Sequence, residues 1–204
     1  MRVITKAYRS IPQVLTSEER KKLFSQIDPN DVIGLRNLCM LTLMVDNGLR
    51  ISEVIHLNVQ EINWTTGELF VRHGKGNRDR VLYLNNKNLS LLKKWKQIRP
   101  IQSHLLFTTL HGSAVYDVYI RQVVKRLTKR AGIEKNIHPH TFRHTFATDL
   151  YRYTKDIRLV QKALGHADIS TTMIYMHVYD DDLENALRNF REKEKEKINI
   201  KMAS

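Results

Sequence analysis

The sequence predicts an α+β fold: one mostly helical domain that carries a small three-stranded antiparallel sheet. Three observations carry that prediction. Apolar residues recur at helical spacing between capping residues over most of the chain. One interval, residues 62–84, breaks the pattern with β-rich runs separated by glycine turns. The composition, 42% hydrophobic with 8 Gly and 4 Pro in 204 residues, suits a packed core rather than a disordered chain.

The elements follow in order. Residues 1–14 read as a loose leader. "LTSEERKKLFSQI" opens a helix with a capping box, Thr16 and Glu19, and an apolar stripe of Leu23, Phe24 and Ile27. Pro29 and Asn30 end it. "GLRNLCMLTLMVDNG" is apolar enough to be a buried second helix, with Gly48 expected just past its end. "RISEVIHLNV" gives a short third. Then "INW", "LFVR" and "RVLYL" read as three strands, turning at Thr66-Gly67 and at Gly74 to Asn77. That places Lys75 at the tip of the second hairpin.

Helices resume at "NLSLLKKWKQIR", which Pro100 stops. The short apolar run "HLLFT" precedes "AVYDVYIRQVVKRLTKRAG", closed by Gly132. "PHTFRHTFATDLYRY" places Pro139 at a first helical position with His138 before it. "DIRLVQKALG" has Asp156 as its N-cap, and "ISTTMIYMHV" and "DDLENALRNF" come after. The charged residues 191–204 read as a solvated tail. No internal repeat or linker interrupts residues 15–190, so they are expected to form one domain.

Lys and Arg outnumber Asp and Glu by 34 to 21, a formal charge of +13. A surplus of that size creates a positive field and points to a polyanionic partner. Several classes are disfavoured. The first residues lack the apolar core of a signal peptide, and no stretch has the length of a membrane span. Neither a basic amphipathic helix nor a lipidation signal points to a membrane surface. A cytoplasmic protein is expected. Cys39, the sole cysteine, lies in the apolar run "LRNLCMLTLMV". It cannot pair within the chain and reads as a small buried hydrophobe.

Chemistry concentrates in "HPHTFRHTF", residues 138–146. His140 and His144 are four apart, a spacing that shares one helix face and can serve a metal. The stretch lacks the Glu of the H-E-x-x-H pattern, since position 141 is Thr. A zinc site would need a third ligand, for which His166 is a candidate, and would set Arg143 beside a dication. A phosphate reading fits Arg143 better. The guanidinium offers a rigid fork to two oxygens, and fixed cations stabilise charge on a reacting phosphodiester. No metal or other cofactor is therefore expected. His138 reads as a helix start. For His144, packing and a supporting role both stay open.

A second arginine stands in "NGLRISEV". Arg50 follows a glycine turn, among apolar neighbours, with Glu53 three residues on to orient it. An ordinary helix-start Arg–Glu pair is the plainer alternative. In "LGHADISTTMIYMHV", His166 follows a helix end and Tyr175 comes nine residues later. A phenol titrates near 10, so Tyr175 needs a base and nearby cations to act as a nucleophile.

Four segments in order, "NGLRISEV", "HGKGNRDR", "HPHTFRHTFAT" and "LGHADISTTMIYMHV", resemble the tyrosine recombinase (phage integrase-type) family. The likeness covers about residues 11–190 and is nearest to Xer-type recombinases and bacterial integrases. It implies the catalytic-domain fold of that family and assigns roles to matching positions. Arg50 matches the first catalytic arginine, and His140 with Arg143 the H-x-x-R pair. Lys75 would protonate the leaving 5′ oxygen. His166 would be the last cationic ligand of the phosphate, Tyr175 the nucleophile, and Glu53 the acidic support. His140 is then the base for the tyrosine proton. Met176, where Xer-type chains commonly carry Thr, is a departure that does not touch this chemistry.

The resemblance implies a site-specific DNA recombinase acting in integration, excision, inversion or resolution through a 3′-phosphotyrosyl link, without ATP. It implies double-stranded DNA as partner and a tetramer on DNA, assembled through the C-terminal helix 181–190. Leu183, Ala186, Leu187 and Phe190 give that helix an apolar face. Accessory DNA-bending proteins are a further expected partner. Two alternatives share the scaffold: a type IB topoisomerase-like relaxing enzyme and a non-catalytic DNA-binding regulator. The catalytic segment begins almost at Met1, with no N-terminal core-binding domain before it. The chain reads either as a single-domain member, like the small recombinases that invert fimbrial promoter switches, or as a fragment of a longer chain.

Overall fold

Local capping chemistry sets the helix boundaries in the computed structural model, which describes residues 12–72, 79–166 and 172–173. Helix α1 (Ser17–Phe24) opens on the expected capping box, with Thr16 Oγ1 accepting the Glu19 amide and Glu19 returning to the Thr16 amide. Helix α2 (Val32–Asp46) is capped by Asp31, which accepts the Gly34 amide at 2.7 Å. It ends at Asn47, and Gly48 follows in the left-handed region at φ 65°. Helix α3 (Ile51–Ile55) then starts with Arg50 as its N-cap.

Helices α4 (Asn86–Ile98) and α5 (Asp117–Arg130) follow the sheet. Helix α6 (Pro139–Thr154) has Pro139 in its first turn, and α7 (Ile157–Leu164) begins on Asp156, which accepts two backbone amides. No helix among the described residues is long and apolar enough to cross a membrane.

The sheet departs from expectation. Among the described residues it has two strands, β1 (Glu68–Val71) and β2 (Arg80–Tyr83), paired antiparallel with Leu69 opposite Leu82. The segment expected as a third strand contributes one isolated bridge, Ile62 to Leu69. The cause is local. A 3₁₀ turn at Val59–Glu61 leads straight into Ile62. Asn63 then accepts the Thr65 and Thr66 amides on its side chain and the Gly67 amide on its carbonyl. The chain reverses at once, leaving no length for a ladder. Residues 73–78, where the second hairpin tip with Lys75 was expected, lie outside the described residues. So do Tyr175 and the helix expected at 181–190.

Helix α2 is central, packed on α3, α4 and α6 and buried on nearly every side. Cys39 is fully buried on it, and burial pushes its thiol pKa up, as suits a packing residue. The main core joins Leu23, Leu43, Met44, Leu69, Trp95, Phe107 and Phe142. Phe24 meets Phe142 edge-on at 6.5 Å, and Trp95 donates to the Leu106 carbonyl at 2.9 Å. A separate small cluster of Ala147, Val160 and Leu164 sits between α6 and α7. Helix α7 also packs against β2. Thus α3, α6, β2 and the end of α7 converge.

Candidate active site

At that convergence sits one buried carboxylate, Glu53. The turn at Gly48 aims α3 so that Glu53, one turn in, folds back onto Arg50. Glu53 Oε2 accepts the Arg50 backbone N–H and Oε1 accepts Arg50 Nη1, both at 2.8 Å. The expected Arg50–Glu53 pair is therefore present, but it is part of something larger. Arg80, from β2, donates through Nη1 to Oε1 at 3.1 Å and through Nη2 to Oε2 at 2.8 Å. Arg143 Nη1 lies 3.9 Å from Oε2. Burial alone would raise the Glu53 pKa. The Arg80 fork, the Arg50 amide and the Arg143 charge outweigh it and hold the carboxyl down at about 2. One anion thus faces three guanidiniums, so the local charge is strongly positive.

Arg143 projects from the first turns of α6 into this centre, with its side chain 6% exposed. It donates through Nη1 to the Gly48 carbonyl at 2.5 Å and through Nη2 to the Leu164 carbonyl at 2.6 Å. Arg50 stays more open, at 27%. Two arginines distant in sequence therefore share one anchor, one deep and one facing solvent.

His166 follows the end of α7. Gly165 takes φ 65°, and the His166 amide reaches back to the Gln161 carbonyl at 3.1 Å, closing a Schellman turn. Gln161 Nε2 returns a bond to the His166 carbonyl. Arg143 Nη2 donates to His166 Nε2 at 3.1 Å, which assigns the ring proton to Nδ1; Nδ1 in turn meets Thr172 Oγ1 at 3.0 Å. Desolvation first, then Arg143, Arg50 and Arg80, lower the His166 pKa to about 4. As placed, His166 is a neutral acceptor beside Arg143. An anion bound beside it would supply compensating charge and favour its protonation.

His140 lies in the first turn of α6 and is exposed. Partial desolvation, then His138, Arg143, Arg121 and Arg50, hold its pKa below the usual histidine value. A neutral imidazole near neutral pH can take a proton. The His138 ring meets that of His140 edge-on at 6.2 Å, and His138 is the N-cap. His144 is half-buried, and desolvation followed by His140 lowers its pKa to about 4. A cleft of about 950 Å³ opens between the outer face of the sheet and α7, with His166, Arg72, Arg158 and Lys162 among its lining residues.

Arg50, Arg143 and His166 thus meet around Glu53, and His140 lies within the field of Arg143 and Arg50. Lys75 and Tyr175 lie outside the described residues. Sequence reasoning missed Arg80, Thr172 and the two carbonyls of Gly48 and Leu164. Arg80 carried a readable signal. In "RVLYL" the alternation that buries Leu82 and Leu84 also turns Arg80 inward. An inward arginine on a strand needs a partner.

Residues 13–182 match the Phage integrase family, and the chain belongs to that family. Tyrosine recombinase XerD of Listeria innocua serovar 6a is 35% identical over 193 residues, which cover 91% of this chain and 64% of that protein. The chain therefore spans somewhat under two thirds of that relative. The crystal structure of XerA recombinase superposes with a TM-score of 0.77 at 28% identity, over 90% of this chain and 67% of that one. XerH site-specific recombinase bound to palindromic difH substrate, a post-cleavage complex, gives 0.77 at 31%, over 89% and 54%.

Proposed function

We propose that this chain is the catalytic part of a site-specific DNA recombinase, with residues 15–190 as the working unit. The observation that carries the reading is the sharing of Glu53 by Arg50 and Arg143 beside His166. Paired, pre-oriented guanidiniums suit the non-bridging oxygens of a phosphodiester.

In this reading Tyr175 Oη attacks the scissile phosphorus. The P–O5′ bond breaks, and a 3′-phosphotyrosyl link forms. His140 takes the tyrosine proton, and Lys75 delivers one to the 5′ oxygen. Arg50, Arg143 and His166 hold the non-bridging oxygens as charge collects there. Protonation of His166 follows arrival of the phosphate, whose charge offsets that of the arginines. One phosphodiester replaces another, so the step consumes no ATP.

The partner is double-stranded DNA, in line with the +13 charge. The relative XerH is described in complexes with difH substrate both before and after cleavage. Assembly as a tetramer on DNA, exchange of helix 181–190 between subunits, help from DNA-bending proteins and a cytoplasmic site of action complete the reading.

The test uses a nicked suicide DNA site. The wild-type chain should leave a covalent protein–DNA adduct, and Tyr175→Phe should abolish it. An adduct that survives this change sinks the nucleophile assignment. Adduct formation that EDTA abolishes would return the metal reading of His140 and His144.

A further inference from the structure

We infer that Arg80 is a positioning residue, whose guanidinium sets the carboxylate plane of Glu53 and ties that plane to the end of α7. The inference rests on the recombinase reading for the chemistry that is positioned, but the geometry stands by itself. Arg80 is as buried as its partner, each side chain 5% exposed. Its two terminal nitrogens span both Glu53 oxygens. Its Nε donates to the Ala163 carbonyl at 2.7 Å. The next carbonyl along α7, that of Leu164, accepts from Arg143.

This arrangement gives Arg80 a distinct place. Arg50 is partly exposed, and its direction depends on Glu53. Of the two bonds from Arg50 to Glu53, only the backbone one is fixed; the other comes from the side chain that Glu53 has to orient, and a carboxylate pinned at one oxygen can rotate about its last bond. A fork across both oxygens removes that freedom, and a planar guanidinium is the group that can do so. The Nε bond then fixes the fork relative to α7, whose final turn presents carbonyls without helical partners. One side chain thereby sets the relative positions of α3, with Arg50, and of the α7 end, with His166. Arg80 also stands five residues after Lys75 in the sequence.

Stability alone is a weak reason for such a cluster. Buried ion pairs often gain little over apolar packing of similar volume. What the cluster provides is direction for charges that meet the phosphate. Glu53 must also remain ionised to accept from Arg50 and Arg80 with Arg143 nearby, and Arg80 is the group that lowers its pKa most.

The test compares wild type, Arg80→Gln, Arg80→Lys, Glu53→Gln and the Glu53→Gln/Arg80→Gln double variant. Each 204-residue chain is checked for folding by its thermal melt. Should Arg80→Gln not fold, Arg80→Lys carries the same readings. Single-turnover cleavage of the suicide site should fall roughly 10–100-fold in Arg80→Gln, as when an outer partner of a charged site is lost. DNA affinity should stay unchanged, which places the loss in the chemical step. Arg80→Lys should stay slow, because an ammonium keeps the charge but not the fork. The double variant should cleave no more slowly than the slower single one.

The acid limb of the rate profile should move to higher pH in Arg80→Gln, since Glu53 then protonates more readily. Carboxyl carbon NMR of Glu53 reads the same shift without DNA. Full cleavage by Arg80→Gln or by Arg80→Lys overturns the inference. A loss of DNA binding that matches the loss of cleavage overturns it as well. A Glu53 carboxyl that titrates the same with and without Arg80 overturns it even if the wild type forms no adduct. That last result, a wild type without adduct, would itself count against the recombinase reading and not against Arg80.

Discussion

Replacing Glu53 with glutamine keeps the shape of the side chain and removes its charge. The effect on stability can be worked from the site. A carboxyl that ordinarily titrates at 4.5 does so here at about 2. At about 1.4 kcal/mol per pH unit, the folded protein holds the ionised form more tightly by roughly 3 kcal/mol. Glutamine also turns an N–H toward donors of Arg50 and Arg80, leaving buried guanidinium hydrogens unpaired. For a chain of this size, roughly 3 kcal/mol corresponds to a melting temperature lower by about 6–12 °C.

The pH dependence has a definite sign. The folded pKa of Glu53 is depressed, so its contribution is complete above about 4.5 and is lost as pH falls toward about 2. Thermal melts of wild type and Glu53→Gln should therefore differ by a constant amount near neutral pH and converge as the solution is acidified below about pH 4.5. Melts within about 2 °C of each other at neutral pH would refute the reasoning, because a shift of that size implies only about 0.5–1 kcal/mol. A difference that does not shrink on acidification would refute the linkage to ionisation.

Two further outcomes are expected. Gly48→Ala would force a Cβ to 2.3 Å from the Phe146 ring at a φ of 65°. It should cost about 1–3 kcal/mol in denaturant titration and slow cleavage, because the displaced Gly48 carbonyl is a partner of Arg143. Wild-type stability and rate in this variant would contradict the packing described. His144 and His166 both titrate near 4, below the ordinary 6.5. The unfolded chain therefore takes up their protons first, and stability should fall as pH drops from about 6.5 toward about 4. Denaturation midpoints that stay flat across that window would show that the two imidazoles are not held neutral.

What the sequence made legible is what short-range chemistry decides. The capping box at Thr16, the glycine at 48, Pro139 in the first turn of α6 and the Asp156 cap each act within four residues, and each appears where it was expected. Arg50 with Glu53 was legible for the same reason. The third strand failed because alternation in "INW" is too short to outweigh the Asn63 turn chemistry beside it. Arg80 was not singled out because its partner lies 27 residues away on another element. The neutrality of His166 depends first on burial and then on Arg143, and its Nδ1 contact with Thr172 is one that no pattern in the chain announces.

The small cluster of Ala147, Val160 and Leu164 has a consequence for motion. Helix α7 rests on that patch, on its contact with β2, and on guanidiniums that grip its last carbonyls. The main core centres on α2 and meets α7 through the half-buried Ala163. Such a unit should open in amide hydrogen exchange at a lower free energy than the global transition, exchanging its amide protons before α2 does. His166 travels with it. Opening of that kind would unlatch one imidazole from the arginine cluster while the rest of the fold remains closed.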